Sequence, residues 1–273
     1  MLNIHNFIAN PIEKHMKKFF RYFLLVVLSF NYMQSTNLFA QRVVADDIVA
    51  TPYIGLHYGA NLTGGDFADR YGFANHLGGI FGYKTDMNWI FAIDGNFIFS
   101  QNVREPYMLQ NLLDSQGTIT NTSGAPSDVV LYLRGYNINA VFGFIFPNTG
   151  HNPNSGVMFK IGGGYLQHKI RIETQEDEVP QISGDYLTGY DRLTSGLNTS
   201  QFVGYNFMAN GGIYNFYAGF YFIQGHTYNR RALFWDRPDF EVPMDRRLDI
   251  QYGVRFGWMI PVYKRQVKDF YFN

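Results

Sequence analysis

Beyond residue 40 the chain carries five histidines, His57, His76, His151, His168 and His226, and it has no cysteine. Zinc sites and nucleophilic triads need such side chains gathered at short, fixed spacings. None of the five forms a His-x-x-x-His pair, and there is neither a Gly-x-Ser-x-Gly elbow nor a phosphate-binding loop. Gly162-Gly163-Gly164 lacks the following helix that a dinucleotide fingerprint requires. The expectation is therefore no catalytic residue, no metal and no cofactor. One rival pairing remains, Ser200 with His226, the kind of couple a lipid-modifying enzyme holds near a membrane rim.

Two other groups of residues have chemistry to offer. Asp94, Lys160, Asp249 and Arg255 each lie on the polar phase of an alternating segment. If those phases face the interior of a closed sheet, the four charges must pair, because an isolated charge in a narrow interior is costly. They are expected to form a salt-bridge and hydrogen-bond network that plugs the interior; a gated pore is the functional alternative. The second group is Arg230, Arg231, Phe234, Trp235, Arg237 and Phe240, in a segment that also holds Asp and Glu. Arginine and exposed aromatics anchor interfaces. This loop is the expected contact surface for an envelope protein partner or for the phosphates of a surface glycolipid; packing onto its own rim is the alternative. Residues 173–178, Glu-Thr-Gln-Glu-Asp-Glu, form a second, acidic loop.

The elements that hold these residues read as strands. From Leu248 to Ile260 every second residue is large and apolar, and Asp249, Gln251, Gly253, Arg255 and Gly257 occupy the other phase. Residues 54–62, 89–100 and 216–222 repeat the pattern, placing His57, Asn61, Asp94 and Asn96 opposite the apolar face. Weaker alternation covers about 75–85, 129–146, 156–172 and 195–208, which makes eight strands. The 129–146 segment changes phase near Gly135, where a bulge is expected. Connections alternate: Asp86-Met87, Pro147–Ser155 and Asn210-Gly211 are tight, whereas 63–74, 101–127, 174–194 and 227–246 are long. Short turns at one end and long loops at the other are the pattern of a transmembrane β-barrel, with both chain ends on the periplasmic, short-turn side. Gly162, Gly163, Gly164, Gly253 and Gly257 suit a crowded, curved wall. Trp89, Phe146, Tyr205, Phe207, Trp258 and Tyr263 are placed for an aromatic girdle.

Composition agrees. Lys+Arg and Asp+Glu are both 22, so no basic excess points to nucleic acid. Charged residues are 16% of the 273, against about 25% in an ordinary soluble domain. A lipocalin-like barrel or secreted sandwich would show a charged exterior, yet here Asn, Gly, Tyr and Gln dominate the phase opposite the apolar one. The mean hydropathy of −0.17 excludes a bundle of membrane helices. The apolar run 22–30 is shorter than the ~20 residues of a spanning helix. Lys17, Lys18 and Arg21 precede it, and Leu38-Phe39-Ala40 follows, so residues 1–40 read as a secretory signal peptide cut after Ala40, with Met16 an alternative start and a membrane anchor the competing reading. Residues 41–50 are then a short polar lead, 51–263 the barrel and 264–273 a periplasmic tail.

The last strand carries Gln251-x-Gly253-x-x-Phe256-x-Trp258. This resembles the signal that the outer-membrane barrel-assembly machinery reads, although about fifteen residues follow it where the family usually ends. The chain beyond residue 40 resembles the small outer-membrane barrels of the OmpA/OmpX type, and Phe39-Ala40-Gln41 with the Tyr- and Phe-rich strands is most similar to barrels of Bacteroidota. The resemblance implies an all-β, eight-stranded antiparallel up-and-down transmembrane barrel in the outer membrane, in contact with lipid and surface glycolipid. It implies a non-enzymatic envelope structural or interaction role. A subunit of a secretion machinery (type IX or gliding), a small passive pore and a lipid-modifying enzyme are the rival classes.

Overall fold

The computed structural model describes residues 47–174, 179–210 and 214–262. The expected signal peptide and its cleavage site, most of the expected polar lead, Gln175 to Glu178 of the acidic loop, Gly211, Tyr263 and the expected 264–273 tail lie outside the described residues. Among those described, eight long strands run in order: β1 (Thr51–Gly65), β2 (Phe73–Lys84), β3 (Trp89–Ser100), β4 (Val129–Ile145), β5 (Gly156–Thr174), β6 (Thr194–Met208), β7 (Asn215–Asn229) and β8 (Arg247–Pro261). Each pairs antiparallel with its neighbours in sequence, and β1 pairs with β8, closing the barrel. Closure leaves no edge, so the wall satisfies its own backbone hydrogen bonds.

The alternation works as expected on every strand. On β8, Asp249, Gln251 and Arg255 are buried, while Tyr252, Val254 and Phe256 are exposed. The exposed phase is the apolar one, inverse to a soluble barrel. Phe220 keeps 74% and Leu197 71% of its surface exposed. Apart from Arg134 on β4 and Lys169, Arg171 and Glu173 on β5, none of the outward positions on the described strands is Asp, Glu, Lys or Arg. At the tight-turn end Trp89, Phe146, Tyr205 and Phe207 stand outward, and Trp89 stacks on Phe142.

Tight connections join β2 to β3 and β4 to β5. The first is closed by Thr85 N donating to Trp89 O at 2.8 Å, with Asn88 at φ 65, a left-handed position that Asn tolerates better than most residues. The long connections hold a short helix α1 (Asp66–Arg70), 3-10 turns and a two-residue ladder pairing Ile119–Thr120 with Pro126–Ser127.

Two local expectations are corrected. No bulge occurs at Gly135: β4 and β5 pair without interruption from Val129↔Thr174 to Ile145↔Met158. What changes there is the chemistry of the interior. Inward positions 137 and 139 are Asn, but 133 is a fully buried Leu and 131 packs against an apolar cluster under the long loops. A shift in composition had the look of a shift in phase. Nor does crowding demand a glycine at 163, where an added Cβ meets its nearest atom, Asn198 O, at 3.8 Å. It does at Gly257, whose Cβ would sit 2.3 Å from the Tyr217 ring.

Candidate functional site

The lumen is the most chemically dense part of the molecule, and it has three layers. In the middle, inward residues of β3 and β8 meet. Arg255 Nη1 donates to Asp94 Oδ2 at 2.9 Å, and Nη2 to Asn96 Oδ1 at 2.9 Å. The Asn96 amide donates to Asp94 Oδ1 at 2.6 Å, and His57 Nε2 meets Asn96 Oδ1 at 2.7 Å. The Arg255 guanidinium lies 3.4 Å from the centre of the Tyr221 ring. Lys160 points into the same layer with Nζ over Tyr217 at 4.1 Å and Phe202 at 4.5 Å. Each of these charges is desolvated by the wall and recovers the loss through fixed partners or ring faces. Voids of about 20 Å³ near Tyr53 and about 10 Å³ beside Lys160 remain, each room for about one water molecule.

Asp249 does not join Asp94, Lys160 and Arg255. It lies six residues nearer the long loops than Arg255, about 20 Å along a strand. Its Oδ2 accepts from His168 Nε2 at 2.9 Å and from Thr227 Oγ1 at 2.5 Å, and Arg247 Nη2 stands 3.6 Å from Oδ1. The Tyr71 hydroxyl is 3.4 Å from His168 Nδ1. This hydroxyl–imidazole–carboxylate order is that of a catalytic relay, but Tyr71, His168 and Asp249 are all fully buried, so the relay ties α1 to β5 and β8. Between the two layers His76 Nε2 meets Gln251 Oε1 at 2.8 Å. Of the remaining positions of the expected assembly signal, Gly253 faces inward, while Phe256 and Trp258 face outward and Phe256 stacks on Phe216.

The third layer is a cap of long loops. Phe67, Tyr71, Met108, Leu109, Val179, Ile182 and Tyr190 pack with Leu133, Leu166 and Ile170 of the wall into one apolar core. Arginines pin its rim. Arg192 makes two hydrogen bonds to Asp236, at 2.8 and 2.5 Å, and lies 3.9 Å over the Phe234 ring. Arg231 grips Asp191 at 2.8 and 2.7 Å; that hydrogen-bonded carboxylate raises its already high pKa. Arg70 donates to Thr194 Oγ1 at 2.9 Å and Asn229 Oδ1 at 3.0 Å. Burial, followed by the nearby Arg247 charge, pushes the Arg70 pKa down, and burial pushes the Tyr71 phenol up.

The expected loop interface is therefore divided. Phe234, at 5% exposure, is interior and offers no surface, because Arg192 stacks on it. Arg231 is spent on Asp191, and Arg230 donates to Ser195 Oγ at 2.7 Å. Arg237 stands 3.8 Å from both Glu105 and Asp236. Trp235, 40% exposed and edge-on to Tyr186 and Tyr190, and Phe240 keep open surface. The couple of Ser200 and His226 is dissolved: Ser200 is buried in the lumen on β6, whereas His226 belongs to the outward phase of β7. Among the described residues no cluster of three or more His, Asp or Glu side chains could hold a metal.

Sequence reasoning missed His168, Tyr71 and Arg192, whose partners are 44 to 97 residues away. It also missed the plug at the tight-turn mouth. There Lys84 Nζ donates to Val49 O at 3.0 Å and to Asn154 Oδ1 at 2.8 Å, and Val49 is fully buried. The inward parity of Lys84 on β2 was the available signal.

No protein-family model matches the chain, and a search of curated proteins finds no match. Solved structures do. Ail, the attachment invasion locus protein of Yersinia pestis, determined in complex with the heparin analogue sucrose octasulfate, aligns over 77% of this chain and 99% of its own, at 9% identity and TM-score 0.38. The N-terminal β-barrel domain of Pseudomonas aeruginosa OprF aligns over 77% of this chain and 100% of its own, at 10% identity and TM-score 0.31. The outer membrane protein OprG of the same organism aligns over 80% and 99%, at 10% identity and TM-score 0.33.

Proposed function

We propose that the chain is an integral outer-membrane barrel, exported behind residues 1–40, with a sealed lumen and a non-enzymatic structural or interaction role in the cell envelope. One observation carries this reading: a belt of outward apolar side chains on all eight strands, charged only at Arg134, Lys169, Arg171 and Glu173 toward the long loops, wraps an interior of buried Asp, Lys, Arg, His and Asn. Soluble monomers rarely expose apolar patches beyond a few hundred Å², and a closed sheet is one of the two backbones that lipid permits. The filled middle layer argues against a passive pore. The separation of Ser200 from His226 removes the sequence basis for a lipid-modifying enzyme. The similarity to Bacteroidota barrels rests on Phe39-Ala40-Gln41 and the Tyr- and Phe-rich strands, and belongs to the same reading.

Interaction falls to the loops, with Trp235 and Phe240 as the open anchors. Tagged protein drawn in mild detergent from its native outer membrane tests the role. A heat-modifiable monomer supports a self-sufficient barrel. Stoichiometric partners support an assembly subunit, and capture should then fall in a Trp235→Ser/Phe240→Ser variant that still shows the heat shift. Steady conductance in a planar bilayer would overturn the sealed lumen.

A further inference from the structure

Every charged side chain on the outward phase of the described strands sits on one hairpin: Arg134 on β4, and Lys169, Arg171 and Glu173 on β5. Arg171 is joined to Glu173 at 2.6 Å. Arg134 and Lys169 are register partners, so two like charges stand opposite each other on one face, an arrangement that destabilises an antiparallel pair. Among the described residues neither has a carboxylate in ion-pairing range. Arg134 instead donates to Leu133 O at 2.9 Å and lies over the Tyr132 ring at 4.6 Å. Across β3 the residue facing Arg134 is Phe99. Among the described residues no carboxylate accounts for the two cations at this spot.

What lies beneath them does. One register step toward the tight turns, the hydroxyls of Tyr136 and Tyr165 approach Gln167 Oε1 at 3.4 and 3.3 Å. Further down, the outward small residues Ala140 and Gly163 floor an open groove of about 470 Å³ whose walls include Phe91, Phe142 and Ile161. From Gly163 to Lys169 is about 20 Å along the strand. At the usual tilt of about 40° that is about 15 Å of depth, half of a hydrocarbon core of about 30 Å. An apolar groove at the midplane, phenol hydroxyls above it and two unpaired cations at one interface follow the polarity of a single phosphorylated amphiphile.

We infer that the β4–β5 face binds a phosphorylated glycolipid of the leaflet at the long-loop end. A phosphate bridges Arg134 and Lys169, and an acyl chain lies in the groove over Ala140 and Gly163. This deepens the membrane reading and rests on it. It also relocates the glycolipid contact from the 230–247 loop, where Arg230, Arg231, Arg237 and Arg247 are engaged within the cap.

The folded protein, released from detergent micelles into a native mass spectrometer, is titrated with bisphosphorylated lipid A and with its fully dephosphorylated form. Arg134→Gln/Lys169→Gln should lower affinity for the phosphorylated lipid about tenfold and leave the dephosphorylated lipid unaffected. Ala140→Leu, which fills the groove, should weaken both lipids. Arg230→Gln should weaken neither. Each variant is scored only if its gel heat shift is intact, with Lys169→Gln alone as the milder substitute. Unchanged affinity in the double variant, or displacement of the lipid by inorganic phosphate, overturns the inference. Flotation of the wild type with phosphatidylcholine vesicles separates the two failures: a protein that floats but ignores the phosphates sinks this site alone, whereas one that does not float sinks the membrane reading.

Discussion

The belt and the cap of this barrel are built on opposite rules. In the belt, apolar side chains face out and Asp94, Arg255, Lys160 and His57 face in. In the cap, Phe67, Tyr71, Ile182 and Tyr190 form an apolar centre, and arginine–carboxylate pairs ring it. The cap is organised as a small water-soluble core; the belt is its inverse. Since burial of apolar surface follows the surrounding solvent, the change of rule along β4 and β5 marks where one solvent gives way to the other. Leu133 and Asn137, both inward on β4, stand on either side of it.

Removing one partner of the mid-lumen pair should have the largest effect. Arg255→Met leaves Asp94 buried without its guanidinium and should cost about 3–5 kcal/mol. Arg255→Met/Asp94→Asn should recover much of that in the same urea titration. Equal stability of single and double variants would show that the pair is not coupled. Next comes a charge placed in the belt. Phe220→Arg should destabilise by about 2–4 kcal/mol in lipid vesicles, while Leu113→Arg on the cap surface should change stability by less than about 0.5 kcal/mol. Similar losses at both sites would erase the distinction between the regions.

Smaller effects separate the cap's rim from its core. Arg231→Gln removes a partly exposed pair with Asp191 and should cost at most about 1 kcal/mol, less in high salt; a larger, salt-insensitive loss would place this pair with the buried ones. The smallest belongs to the exposed turn at Asp114, whose carboxylate accepts from Thr118 N at 3.0 Å, from its hydroxyl at 2.8 Å and from Gln116 N at 2.8 Å. The hydrogen bonds from Thr118 lead in lowering its pKa. A depressed carboxylate adds stability above the usual Asp range of about 3.9 and loses it as pH falls through the lower folded value. Protection of the Thr118 amide, taken relative to its intrinsic exchange rate at each pH, should therefore fall only in acid, and in Asp114→Ala it should be low at every pH.

Much of the belt was legible because its signal is local: a period of two, repeated eight times, reports which face is which without knowledge of the partner strand. The interior positions of Asp94, Lys160, Asp249 and Arg255 follow from parity alone. Their grouping does not, since strand stagger decides which inward residues share a layer, and stagger put Asp249 with His168 and Thr227. The cap was illegible for a related reason. Arg192 and Asp236, or Tyr71 and His168, meet through loops with no periodicity, so Phe234 had the composition of an interface residue and the position of a core residue. The cations of β4 and β5 could have been noticed, as charges on an otherwise apolar phase.

The three tryptophans divide between the two regions, Trp89 and Trp258 on the outward face of the belt and Trp235 in the cap. Fluorescence quenching in vesicles of bromine-labelled phosphatidylcholine therefore tests the central claim directly. Trp235→Phe, which leaves only the belt pair, should be strongly quenched. Trp89→Phe/Trp258→Phe, which leaves only Trp235, should emit as it does in unlabelled lipid. Equal quenching of the two variants, or none in either, would contradict a lipid-facing belt beneath a water-facing cap.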